Sequence, residues 1–168
     1  SGSTFEPARK VGSVGALALG MRRGPRIAVV GRPIVITAIA GEKGGGRDED
    51  VVSWHSTDHG GSWTYDGRIH EAAGAAREGL HALAAGPNDE LFCVWIDLAK
   101  DAPRICGASS GRDRLGRWSE TRVVFADPEG ICPCCHPSVA FDAKGRLYVM
   151  WRGHDGASRD MVVATSDD

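Results

Sequence analysis

The chain repeats itself. A period of about 55 residues runs through it in several registers, so any fold it adopts must stack equivalent units. One register holds an aromatic residue and the run after it, at 4–11, 62–69 and 117–124. A second is a short apolar run, at 26–30, 81–85 and 138–141. A third follows a tight turn, at 34–38, 91–95 and 147–151. A fourth lies at 50–55, 104–109 and 161–165. The turns between the second and third registers, 31–33, 86–89 and 142–145, hold Gly, Asn and Asp where a hairpin needs positive φ. Each unit reads as four antiparallel strands. The expected fold is all-β, with three such units in the 168 residues.

A second pattern punctuates the repeat. Ser56, Asp58, Gly60, Ser62 and Trp63 stand between the fourth register and the next aromatic. Short Asp and Ser side chains can hold backbone amides in a tight turn, Gly permits the turn, and Trp packs between sheets. Ser110, Asp113, Gly116 and Trp118 repeat the residue types with wider spacing. A third copy is divided. Ser166, Asp167 and Asp168 end the sequence, and Ser1, Gly2, Ser3, Thr4 and Phe5 begin it.

The Ser-x-Asp-x-Gly-x-Ser-Trp segment resembles the Asp box of the sialidase-like BNR-repeat β-propellers. The resemblance covers nearly the whole chain at the level of the repeat. It implies a propeller of four-stranded blades, with the boxes on outer turns away from any chemistry. It also implies a secreted or periplasmic setting. That class has six blades, and this chain has strands for three. Residues 1–168 therefore read as one propeller segment, completed as a homodimer. In that reading the strand at 4–11 finishes the blade begun at 136–168 of a partner chain. A piece of a longer propeller is the alternative.

Three loops precede the second-register runs and should meet at one mouth of the central channel. The first holds Arg22, Arg23 and Arg26. Arg26-Ile27 resembles the sialidase Arg-Ile-Pro motif, whose arginine binds a carboxylate, although Ala28 replaces the proline. A guanidinium offers the planar fork that a carboxylate needs. The same arginine could instead brace neighbouring blades. The second loop offers Arg77, Glu78 and His81, groups capable of proton transfer or of ordinary ion pairing. The third holds Cys132, Cys134, Cys135 and His136, soft ligands suited to Zn or Cu. A disulfide, with Cys106 as one candidate partner, competes with that metal reading. Cys93 alternates with apolar neighbours and reads as core.

A net charge of −2 gives no polyanion-binding footprint, so nucleic acid is not an expected partner. No apolar run approaches the roughly 20 residues of a membrane-spanning helix. Five cysteines cannot all pair within one chain. The expected function is binding of an anionic ligand, such as a glycan, or of a soft metal at the mouth. A sialidase-related glycoside hydrolase and a purely structural module are the alternatives. The family's nucleophilic tyrosine has no counterpart, since Tyr65 and Tyr148 fall in strand registers.

Overall fold

The structure is a computed structural model and describes residues 2–18, 20, 23–100 and 102–167, with the side chain of Pro128 left aside. Among the described residues, twelve strands form three antiparallel sheets. The first sheet contains β1 (Ala16–Leu17), β2 (Arg26–Val29), β3 (Ile34–Gly41), β4 (Asp50–Ser56) and β5 (Thr64–Arg68). The second contains β6 (His81–Ala85), β7 (Glu90–Asp97), β8 (Arg104–Gly111) and β9 (Arg122–Phe125). The third contains β10 (Ser138–Phe141), β11 (Leu147–Arg152) and β12 (Met161–Ser166). The strands of the second and third sheets lie in chain order, as expected of meanders joined by short turns.

The turn chemistry is the expected kind. Asp89 and Gly145 both take positive φ, 58° and 89°, in the hairpins β6–β7 and β10–β11. The central strands of the second sheet are apolar on both faces because both faces are covered. In β7 every residue from Leu91 to Asp97 is buried. Two clusters fill the space on one side of that sheet, against the first. Ile39, Val51, Cys93, Trp95, Cys106 and Ala108 make one, and Val30, Val35 and Leu91 the other. On its other side Phe92, Val94, Ile96 and Ile105 meet Val149 and Trp151 of the third sheet. Strand β12 alternates exposed and half-buried residues instead, as a strand covered on one face does.

The repeat is visible in the register. Ser56 pairs with Ile34, Ser110 with Leu91, and Ser166 with Leu147. Ser56 and Ser166 therefore sit opposite the first residue of the neighbouring strand, and Ser110 opposite the second. β4 and β8 share a bulge, at Ser53/Trp54 and at Ile105/Cys106, where each meets its outer strand.

One feature departs from the sequence reading. The inner edge of the first sheet is interrupted: β1 and β2 both pair with β3, at separate places along it. Residues 4–11 form no strand within this chain. Val11 and Val14 instead pack on the outward face of the first sheet, beside Ala38, Val52 and Trp54.

The turn at Ser56 is closed by its own side chains. Asp58 Oδ1 accepts from the Ser62 amide at 2.8 Å, and Oδ2 from the Ser62 hydroxyl at 2.7 Å. The Ser56 hydroxyl donates to Asp58 Oδ1 at 2.8 Å and accepts from the Gly60 amide at 2.9 Å. These bonds to Ser62 and Ser56 hold the Asp58 carboxyl well below the usual carboxylate range. In the second sheet Ser110 takes over, with Oγ within 3.1 Å of the Arg114 carbonyl and 2.8 Å of the Arg117 carbonyl. The Asp113 side chain makes no hydrogen bond among the described residues. Ser1 and Asp168, the two ends of the divided third copy, lie outside the described residues.

Candidate functional site

Strand β6 lies beside both β2 and β10, so the innermost strands of the three sheets stand together. The segments that enter them meet at one end. Arg23 Nη2 lies 3.8 Å from Glu78 Oε2, which ties the first loop to the second. Both side chains are about one third exposed. Arg26 donates through Nη2 to His136 Nε2, which ties the first loop to the third. Its Nη1 donates to the carbonyls of Gly24 at 2.8 Å and Pro25 at 3.1 Å.

These partners fix protonation. A guanidinium can only donate, so His136 Nε2 must accept. His136 Nδ1 then donates to the Pro137 carbonyl at 2.8 Å. The ring is neutral with its proton on Nδ1. Partial burial moves the Arg26 pKa down from its ordinary value, yet a guanidinium remains charged at neutral pH. Arg23 and Arg26 thus bring two guanidinium cations to this end of the inner strands, with Arg23 facing the Glu78 carboxylate.

His81 lies beneath this cluster, with no exposed surface. Its Nε2 is 3.0 Å from Thr37 Oγ1 of the first sheet. Its Nδ1 has no hydrogen-bond partner among the described residues. Burial first, then repulsion from Arg26, pushes its pKa down to about 3, so it is neutral. Cys93, also near Thr37 and Arg26, is fully buried, and burial pushes its thiol far up. His81 and Cys93 are thus part of the floor.

Arg77 does not join the others. Its Nη2 donates to the Leu98 carbonyl at 3.0 Å, and its side chain borders a separate groove with Arg47, Asp48, Tyr65 and Arg68. Arg22 lies outside the described residues.

The third loop brings three sulfurs together. Cys132 and Cys135 form a disulfide with Cα atoms 5.5 Å apart. Cys134 is exposed, with its sulfur 3.6 Å from that of Cys132. The three Sγ atoms lie within 4.8 Å of one another, close enough to share one ion if the disulfide were reduced. His136 is not in that group, because Arg26 and Pro137 engage its nitrogens. Pairing with Cys106 is overturned: Cys106 is a free, fully buried thiol in the second sheet, and burial pushes its pKa up to about 12.

Sequence reasoning missed Arg152. Its carbonyl accepts from the Cys132 amide at 3.0 Å, and its Nη1 lies 3.5 Å from the Cys135 sulfur. The signal was its place at the end of an apolar strand, level with the cysteine loop. It missed Thr37 as well, because a threonine inside an apolar strand carries no mark of its partner.

No protein-family profile matches the sequence, and no curated protein matches it. Solved structures do resemble the fold. The α-L-arabinanase of Penicillium chrysogenum, complexed with arabinobiose, superposes with a TM-score of 0.58 at 15% identity, over 89% of this chain and 47% of that one. The sialidase of Trypanosoma rangeli, in complex with the inhibitor DANA, gives 0.58 at 14% identity, over 86% and 28%. Sucrose-6-phosphate hydrolase from Lactobacillus gasseri gives 0.57 at 17%, over 86% and 31%. The chain spans less than half the length of each of these structures. The three antiparallel sheets, arranged side by side around their inner strands, have the architecture of the β-propeller glycoside hydrolases and sialidases.

Proposed function

We propose that this chain is a sialidase-like, Asp-box propeller segment that binds an anionic ligand, an acidic sugar by chemical class, where its three inner loops meet. One observation carries the reading. Equivalent loops of the repeat set Arg23 beside Glu78 and Arg26 beside His136, the second pair close to the buried His81. Partial burial of Arg26 strengthens its attraction for a carboxylate. The neighbours in fold include proteins named for sugar chemistry, one of them holding a disaccharide. The four-bond turn at Asp58 supports the Asp-box assignment, since it gives each motif residue a structural task.

The test is a calorimetric titration with N-acetylneuraminate, glucuronate and uncharged glucose. Binding of the acidic sugars alone is expected, weakened about tenfold or more in Arg23→Ala, in line with loss of one charge-assisted contact. Equal affinity for glucose, or full affinity in a folded Arg26→Ala variant, would sink the reading.

A metal is the second reading, favoured by the three clustered sulfurs. Zn or Cu would require the reduced form of Cys132 and Cys135. Purification under a reductant should then give bound metal that Cys134→Ser/Cys135→Ser lacks. Hydrolysis has less support. Glu78 is the carboxylate at hand, but Tyr65 and Tyr148 lie in β5 and β11 and supply no nucleophile there.

A further inference from the structure

The three sulfurs of the third loop differ in what can reach them. Cys132 follows the buried Ile131, is itself only 6% exposed, and has its amide bound to the Arg152 carbonyl. Cys135 is half-buried, and its amide closes the turn on the Cys132 carbonyl at 3.2 Å. Cys134 stands exposed in that turn as a free thiol. The bridge therefore joins a sulfur nearly closed to solvent with one that is partly open, and the most accessible sulfur lies outside it.

A structural staple needs two cysteines, and this loop has a third in contact with the bridge. Cys134 Sγ is 3.6 Å from Cys132 Sγ. Arg152 adds a cation at the other bridged sulfur, with Nη1 3.5 Å from Cys135 Sγ. In thiol–disulfide exchange a thiolate attacks one sulfur of the bridge while the other leaves, and a better-stabilised leaving thiolate leaves faster. A neighbouring guanidinium stabilises a thiolate. The loop thus holds a group for each role: Cys134 to attack, Cys132 as the central sulfur, and Cys135 to leave beside Arg152.

We propose that the third loop is a thiol–disulfide exchange site, in which Cys134 opens the Cys132–Cys135 bridge to a low-molecular-weight thiol. First the Cys134 thiol gives its proton to water and its sulfur bonds to Cys132 Sγ. The Cys132–Cys135 bond breaks, and Cys135 leaves with the electron pair and takes up a proton. This step moves the bridge without net oxidation. The three Sγ atoms lie bunched within 4.8 Å of one another, so Cys134 must swing behind Cys132 to approach in line, a rotation open to an exposed side chain. The bridge now ends on an exposed sulfur. Next the thiolate of the small thiol attacks Cys134 Sγ, and Cys132 leaves as a thiolate. A second small thiol then attacks the outer sulfur of this mixed disulfide and releases Cys134. The loop gains two electrons and two protons, and the two small thiols leave joined as their own disulfide.

The test is the rate at which 2-mercaptoethanol opens the loop of the folded chain, read by mass after quenching with N-ethylmaleimide. Cys93 and Cys106 are fully buried and stay unlabelled, so labelling passes from Cys134 alone to all three loop cysteines. Cys134→Ser should slow the opening about tenfold or more, because the small thiol must then reach the bridge unaided. Arg152→Leu should slow it as well in the native loop, and should change nothing once Cys134 is replaced. Equal rates for the native chain and a folded Cys134→Ser variant overturn the proposal, since the thiol then attacks Cys135 directly. A second measurement needs no variant. The reaction is stopped early with acid, and chains carrying one mercaptoethanol adduct and two free loop thiols are fragmented. The adduct is expected on Cys134; an adduct on Cys135 overturns the proposal equally.

Discussion

The two seams between the sheets are built by different means. The first-to-second seam is locked by polar keys set in apolar surroundings. Trp118 donates its indole N–H to Ser53 Oγ at 3.1 Å, and His81 meets Thr37 at 3.0 Å. His70 accepts from the Val51 amide at 3.1 Å and stacks on Trp95 at 5.2 Å. The second-to-third seam is apolar at its core, with Leu80, Val94, Ile96, Ile105, Ile131 and Trp151, and it ends in an open groove. Apolar faces alone bring two such sheets together. Polar keys and a seated aromatic then fix one arrangement, because each buried donor must find its acceptor.

Substitutions at the filled seam should separate these contributions. Trp95→Ala removes a fully buried ring from its centre and should cost roughly 3–5 kcal/mol in denaturant unfolding. A loss below about 1 kcal/mol would mean that this seam is not the main cooperative unit. Trp118→Ala should cost about 3 kcal/mol, since the indole is only half-buried and some collapse follows. Ser53→Ala, which removes only the acceptor of the Trp118 N–H, should cost about 1 kcal/mol.

The seams should also differ in their response to acid. His81 and His70 are both pushed down by burial, so the unfolded chain takes up protons that the folded chain refuses. Their contribution is fully present above the ordinary histidine value of 6.5 and is lost as pH falls below it, for His81 towards about 3. Unfolding free energy measured across that window should decline, and His81→Leu should flatten the slope. An unchanged slope in a folded His81→Leu variant would remove His81 from the account. The smallest effect belongs to Asp58. Its depressed pKa stabilises the fold above the ordinary carboxylate value, and that contribution fades as pH falls further. Asp58→Asn should lower the melting temperature slightly at neutral pH and leave ligand binding unchanged. Lost binding with unaltered stability would move this turn from scaffold to site.

Much of this was readable from the residues. Strand positions, hairpin turns and the repeat register follow from local patterns: alternation, Gly and Asp at positive φ, and serines at a fixed phase. The inner loops were recognisable as a group because the repeat gives them equivalent places. The contents of the site were less legible. Arg77 and Arg23 look alike as charged loop residues, yet one faces a backbone carbonyl in a separate groove and the other faces Glu78. Residues 4–11 carry the pattern of an outer strand, yet they form no strand within this chain.

The sequence by itself determined the all-β class, the three repeated units and the serine that heads each outer turn, because these depend on contacts between residues near in the chain. Only the tertiary structure decided that His136 serves Arg26 rather than the sulfur cluster, that His81 is part of the floor, that Cys135 pairs with Cys132, and that a groove opens between the second and third sheets. Those outcomes depend on which faces of different sheets meet and on how much water is left between them. Periodicity along a chain carries no record of either.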